Sequence, residues 1–118
     1  MDDARPLFAQ IAESVENDIL SGALAEESQV PSTNEFAAFY RINPATAGKG
    51  VNLLVDDGVL YKKRGIGMFV STGARAMVVD RRRASFTAEF IAPLISEAAR
   101  LGIGPTDLAT MIEKEGGV

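Results

Sequence analysis

Apolar residues recur at intervals of three and four along several stretches of the chain, which is the spacing of amphipathic helices. In the first stretch, Phe8, Ile11, Val15 and Ile19 fall on one face of a helix over residues 5–21. Pro6 is acceptable in a first helical turn, and Gly22 follows as a stop signal. Between residues 24 and 30 the pattern predicts a polar connector with one short strand.

Two further helix starts lie only about a dozen residues apart. The run Ser32-Thr33-Asn34-Glu35 is a capping box, in which the Ser and Glu side chains bond to each other's backbone N–H groups. Asn43 followed by Pro44 is a second start, because Asn caps well and Pro lacks only an N–H that would have no partner. The second helix is predicted to end near Asp57, before Gly58. Two helices joined by a turn of about three residues predict a helix-turn-helix.

A β-hairpin is predicted next. Residues 59–61 and 68–71 are β-rich, and the run between them holds three cations and two glycines, Lys62-Lys63-Arg64-Gly65-Ile66-Gly67. Glycine supplies the positive φ that a hairpin tip requires. Residues 1–73 therefore predict a winged helix-turn-helix, a domain that places a helix in the major groove of DNA.

Residues 74–118 predict a helical segment that follows a linker at Thr72-Gly73. A helix is expected from about Val79 to residue 101, kinked at Pro93, and a last short helix over residues 105–115. Its apolar positions are too many for two helices to bury alone, which predicts a homodimer. The predicted dimerisation residues are Phe86, Phe90, Ile91, Leu94, Ile95, Ala98, Leu101, Leu108, Met111 and Ile112. The fold class is thus mainly α with a small β-wing: an N-terminal winged helix-turn-helix and a C-terminal two-helix dimerisation segment.

Composition narrows the classes of function. The chain has no His and no Cys, so it lacks the commonest general base, the commonest zinc ligands and all thiol chemistry. Asp56 and Asp57 are neighbours on a helix and point about 100° apart, so they cannot face one substrate together. We therefore expect neither an enzyme nor a bound metal or cofactor. No apolar run is long enough for a membrane span and the N-terminus has no signal-peptide pattern, so a cytoplasmic location is expected.

The formal charge of −4 is unusual for a DNA-binding protein, but its distribution is uneven. Before residue 73, five of the six bases lie at 41, 49 and 62–64, whereas the acids lie within 2–35 and at 56–57. This pattern permits a basic edge on an acidic body. Arg81-Arg82-Arg83 forms a second basic cluster. Three roles remain open for it: solubility at a helix start, a salt bridge across a dimer, and a contact with a flanking phosphate.

Candidate DNA contacts come from the two helix starts and the wing. Recognition helices read bases with their N-terminal residues, and cations beside a hairpin tip suit phosphates. Gly48 is expected to let the backbone approach DNA, and Gly50 to let it approach the preceding helix. For Lys49 and Asn52 a solvated helix face remains a second interpretation. The full candidate set is Ser32, Thr33, Asn34, Asn43, Pro44, Ala45, Thr46, Gly48, Lys49, Asn52, Lys62, Lys63, Arg64, Gly65, Ile66 and Gly67.

In their order and spacing, several short motifs resemble those of the GntR superfamily of bacterial transcription regulators. These motifs are Pro6-Leu7-Phe8 with Gln10-Ile11, Ile19-Leu20-Ser21-Gly22 with Leu24, Pro31-Ser32 through Ala37, Leu54 with Asp57-Gly58, and Gly65 with Gly67 and Phe69-Val70. The helix start at Asn43-Pro44-Ala45-Thr46 and the short tail look like the YtrA-like branch. The resemblance implies a homodimer that binds a palindromic operator in double-stranded DNA, often near genes for transporters. We expect a repressor rather than an activator.

This sequence departs from the family pattern at four places. Asn34 stands where the family usually has Arg, and Gly48 where Arg or another polar residue is common. Glu26-Glu27 replaces the usual Pro-Gly, and Ile66 stands where Lys or Arg is frequent at the wing tip. These departures lower the expected affinity for DNA. A small-molecule effector is left open, and a winged helix that binds protein instead of DNA is the main alternative.

Overall fold

The computed structural model describes residues 5–116, and its elements confirm the predicted fold class. In chain order they are α1 (Leu7–Ser21), α2 (Thr33–Tyr40), α3 (Pro44–Asp56), β1 (Leu60–Lys63), β2 (Gly67–Val70), α4 (Ala74–Phe86), a π-helical segment (Thr87–Ile91), α5 (Ala92–Arg100) and α6 (Pro105–Gly116).

The helix-turn-helix forms at the two predicted caps. Ser32 and Glu35 make both bonds of the capping box that starts α2. Asn43 caps α3 through its Oδ1, which accepts from the Ala45 N–H at 2.7 Å, and Pro44 is the first helical residue. Between the helices, Arg41 takes a left-handed conformation with φ +56°, and its N–H donates to the Ala37 carbonyl. Local sequence thus determines where both helices start.

Helix α1 packs closely on α3 at Gly50. A Cβ at this position would lie 2.6 Å from the Phe8 carbonyl oxygen and 3.0 Å from the Ile11 Cβ, so only glycine fits. The expected close approach is present, but its partner is α1 and not the preceding helix α2. The difference arises because Gly50 lies on the α3 face that α1 covers.

The wing is a two-stranded antiparallel hairpin, in which Leu60 pairs with Val70 and Lys63 with Gly67. The short strand expected in residues 24–30 is reduced to a single bridge between Gln29 and Phe69. Backbone bonds on either side of this bridge still join the connector to β2, including one from the Val30 N–H to the Met68 carbonyl at 2.9 Å.

Contacts divide the chain into two compact units, the first ending at Asp80 and the second starting at Arg81. The core of the first unit draws on every element from α1 to the start of α4. Its fully buried side chains include Ile11, Val15, Ile19, Val51, Leu54, Leu60, Val70 and Val78.

Helix α4 begins at Ala74, five residues before the start expected at Val79. The predicted start was wrong because only Ala74 and Val78 are fully buried in this part of the helix. Two apolar positions are too few to give a clear helical pattern in the sequence. The expected boundary at residue 73 coincides with the helix start, whereas the contacts divide the chain inside α4.

In the second unit, the irregularity expected at Pro93 takes the form of a π-helical segment. The Ala92 N–H bonds to the Thr87 carbonyl, five residues back, just before α5 begins. Helix α5 ends before Gly102, which has φ +71°. The tail is thus helical on both sides of residues 101–104, close to the gap left between the two predicted helices.

Candidate nucleic-acid interface

The first turn of α3 is held at the surface by its cap. Asn43, Pro44 and Ala45 are exposed and Thr46 is half-buried. The Asn43 amide oxygen accepts from the Ala45 N–H. Thr46, in the same turn, carries a hydroxyl and a methyl. In the major groove a hydroxyl can hydrogen-bond to a base edge, and a methyl group can pack on the methyl of thymine.

At the start of α2, Ser32 acts first as a cap. Its Oγ accepts from the Glu35 N–H at 3.1 Å, and the Glu35 carboxylate accepts from the Ser32 N–H at 3.0 Å. These bonds lower the pKa of the exposed Glu35 carboxyl, the backbone bond having the larger effect. Asn34 is exposed beside them, and Thr33 is half-buried.

The tip of the wing is shaped by its two glycines. Gly65 has φ +77° and Gly67 has φ +147°. A Cβ on Gly67 would meet the Gln29 amide nitrogen at 2.6 Å, and this amide donates to the Ile66 carbonyl at 3.2 Å. The Ile66 side chain is 65% exposed, an unusual fraction for isoleucine.

An open groove of about 450 Å³ brings the wing together with α2 and α3. It is lined by Thr33, Asn52, Lys62, Lys63, Arg64, Gly65, Ile66, Gly67 and Met68. All of these except Met68 were candidates from the sequence. The other candidates, at residues 32, 34, 43–46, 48 and 49, lie outside this groove lining. Met68 was not a candidate because its position opposite Lys62, which brings it to the groove, depends on how the two strands pair.

The two wing lysines face opposite sides of the hairpin. Lys62 pairs with Met68 on the face that lines the groove, since alternate residues of a strand point to opposite faces. Lys63 also borders the groove, but its Nζ lies 4.5 Å from the centroid of the Phe69 ring. Phe69 stacks in turn on Tyr61, at 5.8 Å between centroids. Sequence reasoning missed this pair of rings.

Within α3, Lys49 is exposed but makes a contact with α1, and Gly48 is less exposed than expected. The Lys49 Nζ lies 4.0 Å from the centroid of the Phe8 ring, so this cation packs on α1. Gly48 is half-buried, and a Cβ there would lie 3.5 Å from the Thr33 methyl, an ordinary contact distance. Space within the protein therefore does not require glycine at this position.

The predicted dimerisation residues lie mostly exposed within the second unit. Phe90 is 60% exposed, Leu101 67% and Ile112 53%, whereas Ala98 is buried. Between α5 and α6 lies an apolar cleft of about 330 Å³ with eight lining residues. Four of these residues, at 99, 103, 105 and 109, are not in the predicted dimerisation set. Residue 103 falls between the two predicted helices, yet it lines the apolar cleft.

Among residues 5–116, no group of three or more carboxylate, His or Cys side chains is arranged to hold a metal ion. In that same part of the chain, every helix is too short or too polar to cross a membrane.

A family model described as "Bacterial regulatory proteins, gntR family" matches residues 7–70, from the start of α1 to the end of β2. The chain belongs to the GntR family. The match covers the entire winged helix-turn-helix and more than half of the sequence, which confirms the resemblance found in the motifs.

Two relatives from Bacillus subtilis differ in how far they match this GntR protein. The HTH-type transcriptional repressor NagR is 35% identical over 66 residues, which are 56% of this chain and 27% of NagR. The HTH-type transcriptional repressor YtrA is 26% identical over 98 residues, 83% of this chain and 75% of YtrA. The chain thus spans about a quarter of NagR, and the match with YtrA extends beyond the wing.

Two solved structures resemble the GntR protein in fold. A GntR-family protein from Bacteroides thetaiotaomicron is 31% identical, with a TM-score of 0.73 over 92% of this chain and 94% of its own. AraR(DBD), solved in complex with operator ORX1, is 30% identical with a TM-score of 0.55, over 57% of this chain and 81% of its own.

Proposed function

We propose that this GntR-family protein is a transcription regulator that binds an inverted-repeat operator in double-stranded DNA as a homodimer. In each protomer the first turn of α3 enters the major groove, and the wing meets the adjacent backbone or minor groove. The protein acts by binding and not by catalysis, in the cytoplasm, and represses its target genes.

The groove between the wing and the two helices is the observation that carries this proposal. It gathers Lys62, Lys63 and Arg64 beside the polar side chains of Thr33 and Asn52. A duplex presents one phosphate charge per about 1.7 Å of its axis, so a local group of cations matters more than the net charge of the chain. Polar side chains next to these cations suit phosphate oxygens and base edges.

The relatives support DNA binding and repression. AraR(DBD) was solved on an operator, and both NagR and YtrA are named repressors. AraR(DBD) and NagR match 57% and 56% of this chain, a share about as large as the winged helix in which the candidate contacts lie. Control of transporter genes is a finer prediction, drawn from the resemblance to the YtrA-like branch.

The homodimer is supported by the exposed apolar side chains of the second unit. Phe86, Phe90 and Leu101 are each at least half exposed, and soluble monomers rarely leave so many large apolar groups together in water. A second copy of the chain would cover them, and a two-fold axis would then impose an inverted repeat on the DNA. A small-molecule effector that alters this binding remains a prediction.

Fluorescence anisotropy provides the test. Wild-type protein first selects a duplex from a random library, and its dissociation constant is then measured across a range of salt concentrations. We expect affinity to fall steeply with salt, since each phosphate contact contributes about 0.9 to the slope of log K against log salt. Failure to enrich any duplex would overturn the proposal and favour a protein-binding winged helix.

A further inference from the structure

The first turn of α4 is anchored on the first unit by an apolar contact. Ala74 and Val78 are both fully buried and lie one turn apart on the same helix face. They belong to the same hydrophobic core as Val70 at the end of the wing. The start of α4 is therefore part of the winged-helix unit.

Glu26 caps this helix from a distant part of the sequence. One carboxylate oxygen accepts from the Gly73 N–H at 2.8 Å, and the other accepts from the Arg75 N–H at 3.3 Å. The first N–H groups of a helix have no partner within the helix, and the helix dipole favours a negative charge beside them. Glu26 supplies both an acceptor and a charge, although it lies 47 residues before Gly73.

Arg75 makes a return contact, because its Nε donates to the Leu20 carbonyl in the last turn of α1 at 3.4 Å. Basic side chains suit the unpaired carbonyls at a helix C-terminus. The end of α1 therefore receives a capping group from α4, and the start of α4 receives one from the connector that follows α1.

The neighbouring residue, Glu27, ties the connector to the wing. Glu27 has φ +67°, unusual for a residue other than glycine, and its N–H donates to the Val70 carbonyl at 2.8 Å. Its carboxylate accepts from the Tyr61 hydroxyl at 3.1 Å. Glu26 is thus presented to α4 by a connector that the wing already holds.

We propose that Glu26 is a positioning residue, which sets the half-site spacing that the dimer accepts by fixing the first turn of α4 on the DNA-binding unit. This inference rests on the proposed function. The chain passes from the first unit to the second within α4. In a homodimer joined through the second unit, we infer that the direction in which α4 leaves the first unit limits how the DNA-binding units of the two protomers meet DNA. One added base pair rotates a half-site by about 35° around the duplex, so a dimer with fixed helices tolerates few spacings.

The test varies the spacing between two copies of the selected half-site one base pair at a time. Wild-type protein is compared with Glu26→Ala and with Glu26→Gln, which keeps one acceptor oxygen and loses the charge. Glu27→Gln is the matched control, because it removes the same charge from the adjacent residue without touching α4. Hydrogen exchange at the amides of Gly73 and Arg75 reports whether the cap has been lost.

We expect wild type to prefer one spacing over its neighbours by about tenfold, the scale of a single disfavoured contact in an operator. Glu26→Ala should reduce this preference to about twofold and speed exchange at both amides, while binding to a single half-site stays unchanged. Glu26→Gln should lie between wild type and Glu26→Ala. Glu27→Gln should keep the wild-type preference.

An unchanged spacing preference in Glu26→Ala, with exchange at the two amides accelerated, would overturn the inference and leave the proposed function standing. Equal loss of preference in Glu27→Gln would also overturn it, because a general charge effect would then suffice. Absence of binding by wild type at every spacing would overturn the proposed function itself. Glu26 is exposed, and urea unfolding of each variant verifies that it remains folded.

Discussion

Gly48 and Gly50 lie two residues apart in α3 but meet different surroundings, and substitution separates their roles. Gly48→Ala should stabilise the protein by about 1 kcal/mol, because alanine favours a helix and the added Cβ meets only the Thr33 methyl at 3.5 Å. Gly50→Ala should destabilise it, because the Cβ would lie 2.6 Å from the Phe8 carbonyl oxygen. Urea unfolding measures both changes.

Affinity for DNA then gives the functional role of Gly48. If its backbone lies against the duplex, Gly48→Ala weakens binding although the protein is more stable. If Gly48→Ala stabilises the protein but leaves its affinity for DNA unchanged, the glycine has no part in binding.

The two wing lysines offer a second comparison at the scale of single residues. Lys62→Ala should weaken operator binding more than Lys63→Ala, because Lys62 lies on the groove face, whereas Lys63 must leave the Phe69 ring to reach a phosphate. An exposed cation–π contact is worth about 0.5–1 kcal/mol. Anisotropy should show a salt slope reduced by about 1 for Lys62→Ala. A larger effect of Lys63→Ala would contradict this assignment of faces.

At the scale of elements, the capping box gives α2 a dependence on pH. The bond from the Ser32 N–H lowers the pKa of Glu35 below its usual value of 4.5. A carboxyl whose pKa is lower in the folded state stabilises the fold above its unfolded pKa, and this contribution is lost as pH falls through the folded value. As the pH is lowered from 7, the free energy of unfolding should therefore fall less for Glu35→Gln than for wild type. Identical acid profiles would contradict a role for the Glu35 charge.

Elements whose signals are local were predictable from the sequence, and elements that depend on distant contacts were not. Ser32, Asn43 and Pro44 mark helix starts because a cap acts within three residues of itself. The start of α4 could not be found in this way, since its capping carboxylate belongs to Glu26 and its anchor is only Ala74 and Val78.

The candidate site follows the same division. The wing cations and Thr33 were predictable as surface groups of named elements, and the groove contains them. The placement of Lys49 over Phe8 was not predictable, because it requires the packing of α1 on α3. The same holds for Met68, which joins the groove only through its strand partner.

At the scale of the whole molecule, the homodimer predicts a difference between two exposed phenylalanines. Phe90→Asp should dissociate the dimer, because it places a charge among the apolar residues that the second copy would cover. Phe39→Asp is the matched control, since Phe39 is 80% exposed on α2, outside the predicted dimerisation set. Sedimentation analysis should find a monomer for the first variant and a dimer for the second. A dimer that persists in Phe90→Asp would place the interface elsewhere.

A hydroxyl-radical footprint on the selected duplex tests the central claim most directly, because it shows where a bound protein covers the DNA backbone. We predict two protected patches related by two-fold symmetry and lying about one helical turn apart, both weakened in Lys62→Ala. A single patch without symmetry, or protection that Lys62→Ala leaves intact, would contradict a dimer that binds through α3 and the wing.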